Sequence, residues 1–121
     1  MLPNARPALR RAGVRNNRLN ERTYMHIVIN HQVNDPMKWD RSVKNIMTLI
    51  EKNLLPAGFK PVQYLPSVDG RNAVCLWEAE SLSGLQKFIE RETSGAQNEY
   101  FQVKEEAAIG LPKGEELARA A

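Results

Sequence analysis

One arrangement constrains this chain more than any other: between Met25 and Leu111 the hydrophobic pattern reads strand, helix, strand, strand, helix, strand. A sharp Asp69-Gly70 turn separates the two middle strands, and both residues tolerate the positive φ that tight hairpins need. Few folds accept that order. It predicts an antiparallel sheet with two helices on one face and a bare face opposite.

The local signals agree. His26 to Val33 alternates Ile27, Ile29, His31 and Val33 with His26, Val28, Asn30 and Gln32, so both faces carry apolar residues. Asn34-Asp35-Pro36 is a stop followed by a helix start, with a capping carboxylate and proline at the first helical position. From Pro36 to Asn53, Trp39, Val43, Ile46, Ile50 and Leu54 recur at helical spacing and are expected to form a core stripe. Pro56 and Gly58 are expected to end that helix before a strand over Phe59 to Leu65, where Pro61 demands an edge position. Asn72 to Ala79 reads as a central strand, Ser81 caps a helix with Leu82, Leu85, Phe88 and Ile89 inward, and Glu99 to Val103 closes the sheet. Ala107 to Leu111 is a candidate further short strand. The fold class is α+β, with ferredoxin-like β-α-β-β-α-β order over 25–111.

Composition limits the function classes. With 121 residues the chain makes one domain. Its one cysteine, Cys75, excludes an internal disulfide and any CxxC site, and suits a reducing cytoplasm. No apolar run is long enough to span a membrane. The formal charge of +3 is unevenly placed: 1–24 holds six arginines and one acid, while 25–121 holds 11 Lys/Arg and 13 Asp/Glu. A basic groove for nucleic acid is therefore not visible in the folding segment, and specific nucleic-acid binding is not expected. Segment 1–24 is expected to be a disordered basic leader that the fold does not need. It is open to three accounts: a tail for anionic polymers, a targeting segment, or an extension upstream of a start at Met25. Residues 112–121 are expected to be a flexible tail.

Chemistry has few places to go. There is no Gly-rich phosphate loop, no G-x-S-x-G elbow and no HExxH. His31 lies near the end of the first strand. With the third strand beside the first and parallel to it, Glu78 falls near the matching end. The two are then candidate catalytic residues, His31 as base and Glu78 as the carboxylate that orients it. The plainer account is a polar contact at the sheet rim. Cys75 reads as a small buried hydrophobe or, less simply, a nucleophile or ligand. Trp77, Tyr64, Tyr100 and Phe101 are candidates for one side of the sheet, as ligand-binding walls or as a dimer interface. His26 is expected to be partly exposed.

His26-Ile27-Val28-Ile29-Asn30-His31, the Asn34-Asp35-Pro36 helix start, Val74-Cys75-Leu76-Trp77-Glu78-Ala79 and Asn98-Glu99-Tyr100-Phe101 together resemble small bacterial members of the dimeric α/β-barrel superfamily. The Cys-containing strand is similar to one in the nickel-binding-like group. Members pack two sheets face to face between protomers. Some are cofactor-free monooxygenases of aromatic polyketides, some lactone isomerases, some haem binders and a small group nickel binders. The resemblance implies a homodimer and a small-molecule ligand, and it would make His31, Glu78 or Cys75 candidate metal ligands. It implies no particular cofactor. Two function classes follow: a small-molecule-binding barrel, with a cofactor-free enzyme as one form of it, or a non-catalytic metal-binding or interaction module.

Overall fold

A computed structural model describes residues 23–112. The expected disordered leader and flexible tail fall, except for Thr23, Tyr24 and Pro112, outside the described residues. The elements are β1 (Met25–Val33), α1 (Pro36–Glu51), β2 (Phe59–Pro66), β3 (Asn72–Ala79), α2 (Leu82–Glu92) and β4 (Ala96–Gln102). They form a four-stranded sheet in the order β2-β3-β1-β4, antiparallel at every hydrogen-bonded pair. This is the ferredoxin-like α+β arrangement.

The local chemistry explains each boundary. Asp35 sits in extended backbone before α1 and its Oδ1 accepts from the Lys38 N–H at 3.2 Å, with Pro36 following. α1 ends earlier than Pro56: Asn53 takes φ +58, its N–H bonds the Ile50 carbonyl at 3.0 Å, and the Leu54 N–H reaches Leu49 at 2.8 Å. That pairing is the Schellman motif, with asparagine in the left-handed position that glycine more often fills. Ser81 caps α2, its Oγ accepting from the Gly84 N–H at 3.0 Å. In the hairpin, Gly70 takes φ +74 and the Asp69 carboxylate accepts from the Arg71 N–H at 2.9 Å and from the Ser67 hydroxyl at 2.7 Å. These bonds, the Arg71 amide first, hold the Asp69 carboxyl below its ordinary value.

Pro61 falls on the edge strand β2, at a bulge between Pro61 and Gln63, where the lost donor costs the ladder nothing. Ala107 to Leu111 forms no strand; Glu105–Ala107 is a single 3-10 turn.

The core lies between the helices and one sheet face. Ile27, Ile29 and Leu85 are fully buried, and Trp77, Ala79, Phe88 and Ile89 close around them. Phe88 packs on Phe59 at 5.2 Å between ring centroids and meets Trp77 edge-on at 6.2 Å. The expected α1 stripe is only partly core. Trp39 is 8% exposed, but Ile50, which borders an open cleft rather than a filled layer, is 37% exposed, and Leu54, beyond the end of α1, is 61% exposed.

Candidate functional site

The expected His31–Glu78 pair does not form. The parallel pairing behind it is overturned, since β3 runs antiparallel to β1. α1 carries the chain back so that β2 can run in the direction of β1, and the Asp69-Gly70 hairpin then reverses it. β3 must therefore oppose both neighbours. In the resulting register His31 lies opposite Ala73, and Glu78 lies opposite His26 at the far end of the strand. The alternation of side chains also puts them on opposite faces, His31 under the helices and Glu78 on the bare side.

Glu78 instead joins His26 and Glu105. His26 Nδ1 lies 2.8 Å from a Glu105 oxygen, which also accepts from the His26 backbone N–H at 3.1 Å. His26 Nε2 approaches the Glu78 carboxylate at 3.3 Å without an aligned hydrogen bond. The His26 side chain is only 12% exposed, more covered than its position at the strand start suggests. This cluster pins the segment after β4 to the bare face.

His31 has other partners. Its cross-strand neighbour on β4 is Asn98, and Nδ1 lies 2.6 Å from Asn98 Oδ1. The Asn98 amide donates at 2.9 Å to Glu90 of α2, which also accepts from the Tyr100 hydroxyl at 2.6 Å. With its nitrogen committed to Glu90, Asn98 presents its oxygen to His31, so Nδ1 carries the proton. Nε2 is then the lone-pair nitrogen, and Cys75 Sγ lies 3.1 Å from it, placed to donate. The Trp39 ring covers the imidazole at 4.5 Å between centroids.

Burial sets the protonation states. Desolvation lowers the His31 pKa, with the Asn98 hydrogen bond and the Glu90 charge opposing it. Desolvation also pushes the Cys75 thiol up to about 12. Near neutral pH the pair is thiol and neutral imidazole, not an ion pair. Because folded His31 binds its proton less readily than unfolded His31, its contribution to stability is present above the ordinary value of 6.5 and is lost as pH falls through that value toward the lowered one. Comparing urea unfolding of the wild type and His31→Phe from about pH 7 to 5 should show a steeper loss in the wild type. The difference in slope is at most about 1.4 kcal/mol per pH unit, the limit for one proton. Equal slopes would mean that His31 is not desolvated.

A cleft of about 200 Å³ opens above this pair, between α1 and the sheet. Val43, Ile46 and Met47 form its helical wall, Pro61 lies on its β2 side, and Trp77, Cys75 and His31 lie on its floor. Tyr64 also lines the cleft, and its hydroxyl accepts from the Trp39 indole at 3.3 Å. Burial raises the Tyr64 pKa, with the Trp39 bond opposing, so the phenol stays protonated.

Of the four aromatic candidates, Trp77 and Tyr64 line the cleft. Tyr100 shares their sheet face but is held at Glu90, and Phe101 lies on the bare face, opposite Val28. Sequence reasoning missed Asn98, Glu90 and Trp39 as partners of His31. Asn98 was legible in principle, since β4 alternates in phase with Tyr100, but starting that strand at Glu99 left it out. Among the described residues no three His, Cys, Asp or Glu side chains group as metal ligands would, and no helix is long and apolar enough to cross a membrane. Comparison with family models, curated proteins and solved structures finds no match to this chain.

Proposed function

We propose that this protein binds a small apolar, ring-bearing molecule in the cleft between α1 and the sheet. The observation that carries the reading is the cleft itself: aliphatic and aromatic walls around a few convergent polar groups, Tyr64, Cys75 and His31. Such a site repels ions and accepts a flat ring. An enzymatic role would rest on His31 rather than Glu78, with Asn98 as the orienting group. In keeping with the resemblance to the dimeric α/β-barrel superfamily, two copies would pack through their bare sheet faces. Half-exposed Phe101 and Leu65 and part-covered Val28 and Val74 on those faces support that arrangement. A free thiol suits a reducing cytoplasm.

Thermal melting against a panel of aromatic ketones, phenols and divalent metals tests the ligand reading. An aromatic compound at about a hundred times its Kd should add about 2.7 kcal/mol to stability and change the fluorescence of Trp39 and Trp77. Stabilisation by nickel alone would replace this reading with a metal binder. A flat response throughout would leave an interaction module, for which the exposed Met47 and Ile50 on α1 and Leu54 just past its end are the supporting observation. Light scattering at micromolar concentration should give twice the monomer mass, and Phe101→Lys should halve it.

A further inference from the structure

The cleft floor holds a feature that ligand binding does not require. A thiol, an imidazole, an amide and a carboxylate stand in series: Cys75 Sγ to His31 Nε2 at 3.1 Å, His31 Nδ1 to Asn98 Oδ1 at 2.6 Å, and Asn98 Nδ2 to Glu90 at 2.9 Å. Each member orients the next. Glu90 fixes the amide, the amide fixes the tautomer, and the tautomer leaves one lone pair facing the thiol. His31 is 2% exposed and sits beneath Trp39, so it cannot turn away to solvent. Cys75 lines the cleft.

A second group faces the same space. Tyr64 is the direct cross-strand neighbour of Cys75, on the same sheet face. Its oxygen takes the Trp39 N–H, which leaves its own O–H as a donor toward the cleft. A thiol and a phenol donor one strand apart, in an apolar cleft, match a ligand with an electrophilic carbon and one carbonyl oxygen a few bonds away.

We propose that Cys75 adds reversibly to an apolar α,β-unsaturated ketone or aldehyde bound in this cleft, with His31 as base and Tyr64 as the hydrogen-bond donor to the carbonyl. The inference rests on the ligand-binding reading above and names the class of ligand. As Sγ bonds to the β-carbon, the S–H bond breaks and its proton passes to His31 Nε2. The electron pair of the C=C bond moves onto the carbonyl oxygen, which Tyr64 stabilises as an enolate. His31 then returns the proton to the α-carbon, closing a saturated thioether. Nothing is oxidised or reduced and no group leaves. Acyl transfer is the poorer fit, because the strand amides around Cys75 are engaged in the β1, β2 and β3 ladders and cannot form an oxyanion nest. The neutral resting pair makes the base essential, since a buried thiol cannot ionise ahead of attack.

Benzylideneacetone is a suitable probe, with its saturated counterpart benzylacetone as the non-reacting control. Intact-mass kinetics should show a single adduct on Cys75, formed at least about tenfold faster in the native chain than in the urea-unfolded chain. Between about pH 7 and 9 the native rate should stay nearly flat, because His31 is already neutral there, while the unfolded chain should accelerate with its thiolate fraction. Asn98→Ala should slow the native reaction and make its rate rise between about pH 7 and 9, because the tautomer that leaves a lone pair facing the thiol is no longer fixed, whereas a purely structural role would leave the profile flat. A native rate no higher than the unfolded rate, or one that follows thiolate fraction, overturns the proposal without recourse to any variant. If benzylacetone raises the melting temperature but benzylideneacetone forms no adduct, the cleft reading stands and this inference falls. If neither compound interacts, both fall.

Discussion

Replacing Gly95 with alanine should destabilise the protein by about 2–5 kcal/mol, the left-handed cost plus the cost of overpacking against fixed atoms. Gly95 joins α2 to β4 with φ +93, a conformation that L side chains rarely adopt. A Cβ there would lie 2.5 Å from the Trp39 backbone nitrogen and 2.7 Å from the Asp35 carbonyl oxygen. Both are backbone atoms in the first turn of α1 and its cap, so neither can swing aside. The Gly95 carbonyl also accepts from the N–H groups of Asn34 and Asp35, at 2.8 and 3.0 Å. One residue thus ties the end of β1, the start of α1 and the start of β4 together. Gly70→Ala is the control, since its φ is also positive but nothing lies within 4 Å of the added carbon. It should cost only the conformational part, about 1–2 kcal/mol. Urea midpoints of the two variants decide the matter: equal losses would show that the close approach at Gly95 relaxes at no cost.

Trp77→Ala should cost about 3–5 kcal/mol, a large share of the about 5–15 kcal/mol that keeps a domain folded. The indole is 3% exposed, joins the Phe88 and Phe59 cluster on one side and floors the cleft on the other. Its removal would merge the cleft with a new void. Phe101→Ala, on the bare face and half exposed, should cost about 1 kcal/mol or less at a dilution where dimers do not contribute. Chemical denaturation of both, with the slope checked for constancy, reads the difference. A Trp77 loss no larger than that at Phe101 would mean that the core is not centred where Ile27, Leu85 and Phe88 place it.

How the chain divides between local and distant causes is clear from particular residues. The order of elements, the Asp35 cap with Pro36, the Asp69-Gly70 turn and the edge position of Pro61 were all legible in the sequence, because each depends on a residue's own backbone preference or on neighbours within a turn. The faces of β1 were legible too, since alternation alone puts Ile27, Ile29 and His31 together. The chemistry around His31 was not. Which side chains meet across a sheet depends on strand direction and register, and a single reversal moved Glu78 from the expected partner of His31 to the partner of His26, on the other face. The same reversal brought Cys75 within 3.1 Å of His31, two residues that lie 44 positions apart in the sequence. Alternation along β4 puts Asn98 on the face of Tyr100, but its meeting with His31 and with Glu90 came from the pairing of β4 with β1 and the packing of α2, which no local signal specifies. The depth of the cleft, and hence the exposure of Ile50 in what reads as a core stripe, depended on how far α1 stands from the sheet. Periodicity states which residues share a helix face; only the assembled layers decide whether that face is filled.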